Sequence, residues 1–170
     1  IIDRGGPVRE HLMRFQPRHD SFVGIDSDGC VFDSMDIKQK RCFHGLIVSH
    51  WGLEAIEPLV RETAEFVNLR SIWRGQNRFM ALLKTFDLLR ERRAVRASGV
   101  TVPLLPDLRA LAGSGRPLGH PVLRQAIAET GSEELTSLLA WSLAVNEDVA
   151  RRIHRLPPFE WARRSLERLQ

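Results

Sequence analysis

The chain has 170 residues, a length that suits one domain or a small core carrying an insertion. Its 43% hydrophobic content can bury a real core and its 27% charged residues keep it soluble, which excludes a disordered or fibrous chain. The net charge of +4 comes from Arg scattered among Asp and Glu, with no Lys/Arg block and no basic-aromatic interleaving. It therefore reads as a solvated surface, and nucleic acid is not an expected partner.

Cys30 and Cys42 have neither a metal-ligand spacing nor the numbers for a disulfide framework, so a reducing cytoplasmic setting is expected. No run of about 18 apolar residues marks a membrane span, and the N-terminal IIDRGGPVRE lacks the layout of a signal peptide.

In chain order, Pro7 opens a predicted short helix with Val8, Leu12 and Phe15 on one face. Residues 21–25 are short, apolar and partly β-branched, and predict a buried strand. From Met35 the period turns helical. Met35, Cys42, Phe43, Leu46, Ile47 and His50 share a stripe that closes at Trp51-Gly52, and Pro58 fits the first turn of the next helix. A polar stretch at 74–78 interrupts the pattern, and Phe79, Leu82, Leu83, Phe86 and Leu89 resume it. Pro103 and Pro106 make 98–106 an extended connector. After a short helix around Leu108 and the loop 113–121, Ser132 caps a long helix that Pro157-Pro158 stops, and a final helix carries Trp161 and Leu166.

Chemistry concentrates in IDSDGCVFDS, Ile25 to Ser34. Acids directly after a buried strand lie at its C-terminal edge, where open α/β sheets place ligands. Asp26 and Asp28 point to one side if extended geometry persists that far. Two such carboxylates can bind a hard cation such as Mg²⁺, or divide nucleophilic and proton-transfer work. Gly29 then allows a tight turn. The plainer alternative is a surface turn built from turn-forming residues. An EF-hand fails: with Asp26 and Asp28 at its third and fifth positions, Gly24 would stand where the first acid is needed and Met35 where the twelfth-position Glu is needed.

This run resembles the first signature motif of the haloacid dehalogenase superfamily: an apolar strand, D-x-D-G, apolar residues, then D-S or D-T. The helix from Met35 to Trp51-Gly52-Leu53 is similar to the start of a helical cap inserted directly after that motif. The resemblance implies an α/β fold with a large all-α cap, with only the first core strand present and this chain mostly helical. The implied organisation is an N-terminal helix and linker (1–20), first strand and catalytic loop (21–34), helical cap (35–156) and a helix returning to the core (157–170).

The resemblance also implies roles. Asp26 would be the nucleophile that forms an aspartyl-phosphate, and Asp28 would protonate the leaving oxygen and then activate water. The Asp26 carboxylate and the Asp28 backbone carbonyl would hold Mg²⁺. Family members that cleave carbon–halogen bonds lack the second acid, so Asp28 favours hydrolysis of a small phosphate monoester. The family's later motifs (Ser or Thr, then Lys or Arg, then an acidic pair) do not follow the cap in order, which implies an N-terminal portion of a longer enzyme, inactive or nearly so alone.

Secondary candidates for anionic substrate contacts are Arg70, Arg74, Asn77 and Arg78 around Gly75, with a solvated helix–helix connection as the plainer alternative. Arg116 and His120 in the 113–121 loop are weaker candidates. His44 and His50 lack a zinc-protease arrangement, and Trp73, Trp141 and Trp161 read as packing anchors. Two further readings stand beside the hydrolase: a non-catalytic helical interaction module retaining a relic of the motif, and an Arg-rich nucleic-acid binder.

Overall fold

The computed structural model describes residues 13–16, 20–21, 24–153 and 156–168. These residues are mostly helical, and no strand or sheet forms among them. The N-terminal helix expected at 7–15 lies outside them apart from its last three residues, as do Phe22 and Val23 of the expected strand. The described remainder, Ser21, Gly24 and Ile25, is exposed rather than buried and carries no ladder, and neither does the acid loop beyond isolated bridges Asp28–Phe32 and Phe32–Pro158. A lone extended segment has no backbone partner to make a sheet with.

The first helical rod runs in three consecutive pieces: α1 (Ser34–Asp36), a π-helical segment (Ile37–Phe43) and α2 (His44–His50). Gly52, with φ +63°, turns the chain just beyond it, as the Trp51-Gly52 signal predicts. A 3₁₀ turn leads into α3 (Glu57–Glu65), with Pro58 in its first turn, and a second π-helical segment, Phe66–Arg70, ends that rod. Then come α4 (Arg78–Glu91), α5 (Arg93–Ser98), α6 (Pro106–Gly113), α7 (His120–Thr130), α8 (Glu133–Ile153) and α9 (Glu160–Glu167).

Two boundaries differ from expectation. Residues 93–98 form a separate helix, α5, within a stretch that has a weak period of its own, and the 113–121 loop ends early because Pro121 serves as a first-turn residue of α7. Ser132 does cap α8, its Oγ accepting from Leu135 N at 3.1 Å.

The core lies between α2, α3, α4 and α8. Trp141 is its centre: fully buried, it meets Phe43, Trp51 and Phe79 at ring-centroid distances of 6.2, 5.4 and 6.3 Å. Edge-to-face geometry suits the quadrupoles of these rings. Leu82, Phe86 and Leu89 of α4 and Leu138 and Val145 of α8 belong to the same buried cluster. Among the described residues no helix is long and apolar enough to cross a membrane.

Candidate active site: the acid loop and its helical roof

The loop holding Asp26 and Asp28 sits where the helical region begins and where it ends. Gly29 adopts φ +74°, a conformation that favours glycine, and a Cβ there would press on Met35 Cγ at 3.1 Å. Ser27 O accepts from the backbone N–H groups of Val31 and Phe32 at 3.0 and 3.1 Å, closing the turn. On the exit side, Phe159 N donates to Val31 O at 2.7 Å and Pro158 bridges Phe32. The segment entering α9 is therefore tied back to the acid loop it left some 130 residues earlier, by sequence position.

Asp28 is held from two directions. Ser34 Oγ donates to Asp28 Oδ1 at 2.8 Å and accepts from Gly29 N at 3.2 Å, while Lys38 Nζ pairs with Asp28 Oδ2. Those two donors, Lys38 first and Ser34 second, hold the Asp28 carboxyl below its usual range against a smaller opposing effect of burial. Asp26 is exposed and has no hydrogen bond or ion pair among the described residues. Asp33 precedes α1 and makes no side-chain cap there.

Beside Asp28 lies a cavity of about 280 Å³ lined by Ser27, Asp28, Phe32, Ser34, Ile153 and Leu156. Its floor is the acid loop and its apolar wall is the C-terminal end of α8. A larger hollow of about 600 Å³ lies near Glu62, Phe66, Arg70 and Arg92, but its charges are already engaged as Arg70–Glu65 and Arg92–Glu62 pairs. It holds neither acid of the motif, and chemistry favours the smaller cavity.

The described residues hold no cluster of three or more His, Cys, Asp and Glu side chains able to grip a metal. The donor set at the loop nevertheless fits Mg²⁺: the Asp26 carboxylate and the Asp28 carbonyl are hard oxygens. Mg²⁺ commonly takes only one or two protein oxygens and keeps several waters.

The secondary candidates divide. Asn77 caps α4, its Oδ1 accepting from Phe79 N at 2.9 Å, and its Nδ2 donates to Leu118 O at 2.9 Å. Arg78 turns inward to α8, where its Nη1 donates to Ser142 O, Ser142 Oγ and Asn146 Oδ1. Arg74 is exposed, Arg70 pairs with Glu65, and Arg116 pairs with Glu129 at 3.7 Å. His120 Nε2 lies 2.8 Å from Ser142 Oγ, so it joins Arg78 on the same serine.

Of the tryptophans, Trp141 is buried as expected, Trp73 lies under Lys84 with the ammonium 4.4 Å from its ring centroid, and Trp161 is 61% exposed. Cys30 is exposed beside the acids, whereas Cys42 is buried and its thiol is pushed up to about 11, by burial first and then by a hydrogen bond to the Asp148 carboxylate. Residue identity alone carries no sign of two contacts that matter here, Lys38 on Asp28 and Ser142 beneath Arg78. The first was reachable in principle, since Lys38 lies one turn past Ser34 on the helix that follows the motif.

No known protein family, curated protein or solved structure matches this chain.

Proposed function

We propose that this chain carries the nucleophile loop and helical cap of a Mg²⁺-dependent phosphate monoester hydrolase with a haloacid dehalogenase-like α/β core. The observation that supports it is the convergence on one loop: both ends of the helical region meet at the acid loop, which carries an anchored Asp28, an open Asp26 and a cavity between Asp28 and the end of α8. An insertion that leaves and rejoins a sheet at adjacent points has this topology.

In this reading a carboxylate oxygen of Asp26 attacks phosphorus, the bond to the leaving oxygen breaks, and that oxygen takes a proton from Asp28. Water then attacks the aspartyl-phosphate, giving its proton to Asp28, and the bond to Asp26 breaks to release phosphate. Bound Mg²⁺ would neutralise charge on the transferring phosphoryl group. Lys38 holds Asp28 ionised at rest, the form that receives a proton, so delivery of a proton in the first half requires Lys38 to withdraw from Oδ2.

The test is phosphate release from a panel of small monoesters by the full-length gene product with Mg²⁺. Expected are turnover in the parent and background rates in Asp26→Asn. Turnover that survives Asp26→Asn overturns the mechanism. No turnover on any monoester leaves the helical interaction module as the reading to pursue.

A further inference from the structure

Arg78 is a half-buried guanidinium with no carboxylate partner among the described residues. Its Nη1 is surrounded by neutral acceptors: Asn146 Oδ1 at 2.7 Å, Ser142 O at 3.0 Å and Ser142 Oγ at 3.1 Å. Its carbon lies 5.0 Å from the centroid of Phe43, which shields one face. Its Nε and Nη2 groups have no acceptor among the described residues, leaving part of the fork free. Burial accordingly lowers the Arg78 pKa. His120 shares Ser142 with it, and the His120 ring is held below its ordinary value, by burial first and then by the neighbouring charges of Arg78 and Arg124. A charge taken partly out of water without a counter-charge is costly, and an incoming anion removes that cost.

The position of this cluster matters as much as its charge. On α8, Asn146, Ala150 and Ile153 stand at i, i+4 and i+7, one stripe of the helix. Asn146 holds Arg78 and Ile153 lines the cavity beside Asp28; seven residues of helix separate them by about 10 Å. Asn146 and Ala150 are both exposed, and alanine keeps the stripe low between its ends. The π-helical segment links the same two places from the other side: Lys38 pairs with Asp28, and Phe43, one i to i+5 step later, backs Arg78.

We infer that Arg78, His120 and Asn146 form a second subsite, which takes the terminal oxyanion of a two-ended substrate whose phosphate ester lies at the acid loop; this rests on the phosphatase reading. The substrate class is then a small phosphorylated acid or a bisphosphate with its two anionic ends about two helical turns apart.

Binding of two nonhydrolysable probes to the full-length protein tests this. One is 6-phosphonohexanoate, with a carboxylate at the far end, and the other is hexylphosphonate, which lacks it. The expected result is about tenfold tighter binding of the two-ended probe, a contact worth one charge-assisted interaction. Asn146→Asp, at an exposed position and nearly isosteric, sets a carboxylate against Arg78. It should abolish that advantage while circular dichroism and affinity for hexylphosphonate stay unchanged. Arg78→Lys should reduce the advantage without removing it. Equal affinity for the two probes in the parent, or an advantage that survives Asn146→Asp, overturns the subsite. An advantage that Asn146→Asp abolishes, in a protein that releases no phosphate from any monoester, upholds the subsite and overturns the phosphatase reading. Phosphate release with equal probe affinities does the reverse.

Discussion

Ser34 Oγ donates to Asp28 Oδ1 at 2.8 Å while it accepts from Gly29 N at 3.2 Å, so a single hydroxyl fixes the second acid of the motif to the first turn of the helical region. The serine is 2% exposed although the carboxylate it holds is open to solvent. This is the physical reason for a D-S after the D-x-D-G: the Ser is a clasp that ties the acid loop to the helix above it.

Ser34→Ala removes the clasp. Gly29 N keeps Phe32 O at 2.9 Å as a second acceptor, so the loss is one net hydrogen bond, about 1 kcal/mol. Urea unfolding should show a lower midpoint at unchanged slope. An unchanged midpoint would mean that water replaces the hydroxyl at no cost.

His44 gives the fold a pH dependence. It is 1% exposed, its Nε2 has no hydrogen-bond partner, and burial first, then the nearby Arg61 charge, lower its pKa to about 4. The unfolded chain binds this proton near pH 6.5 and the folded chain does not, so its effect on stability is absent above that pH and grows as pH falls towards 4. The expected loss across that window is about 3 kcal/mol, in order of magnitude. Denaturation midpoints at pH 7 and pH 4.5 should differ in the parent and converge in His44→Leu.

The return of the chain to the acid loop depends on one backbone donor. Phe159 has φ −55°, which proline accepts, so Phe159→Pro deletes the N–H that reaches Val31 O at little backbone strain. It also deletes the ring stacked on Trp161. Amide exchange in 160–168 should rise while Leu138 and Phe86 in the core stay protected. Uniform loss of protection would show that α9 is part of the cooperative core.

The two thiols should separate cleanly. Cys30 is exposed, whereas Cys42 is 0% exposed with its thiol pushed up to about 11, so a thiol reagent at pH 8 should label one cysteine in the native chain and both in urea. Fast labelling of Cys42 in native buffer would mean that the π-helical segment opens readily.

The periodicity of the sequence determined most of the helices from Met35 onward, because apolar residues at helical spacing have to find a common core; α5, at 93–98, has too weak a period to show. Pro58, Gly52, Ser132 and Pro157 marked their limits, each through a backbone property that needs no neighbour. The motif likewise made Asp26 and Asp28 legible, since their types and spacing are local facts. What no local rule contains is which distant side chains meet. Only packing of the π-helical segment against α8 sets Arg78 over Phe43 and onto Ser142 and Asn146, more than 60 residues away in sequence. Only the docking of 158–159 brings the exit of the helical region back to Val31 and Phe32. Helix and turn preferences act over a few residues, whereas those meetings depend on how whole helices bury their faces against one another. The sequence alone therefore located the acids, and the tertiary structure decided what surrounds them.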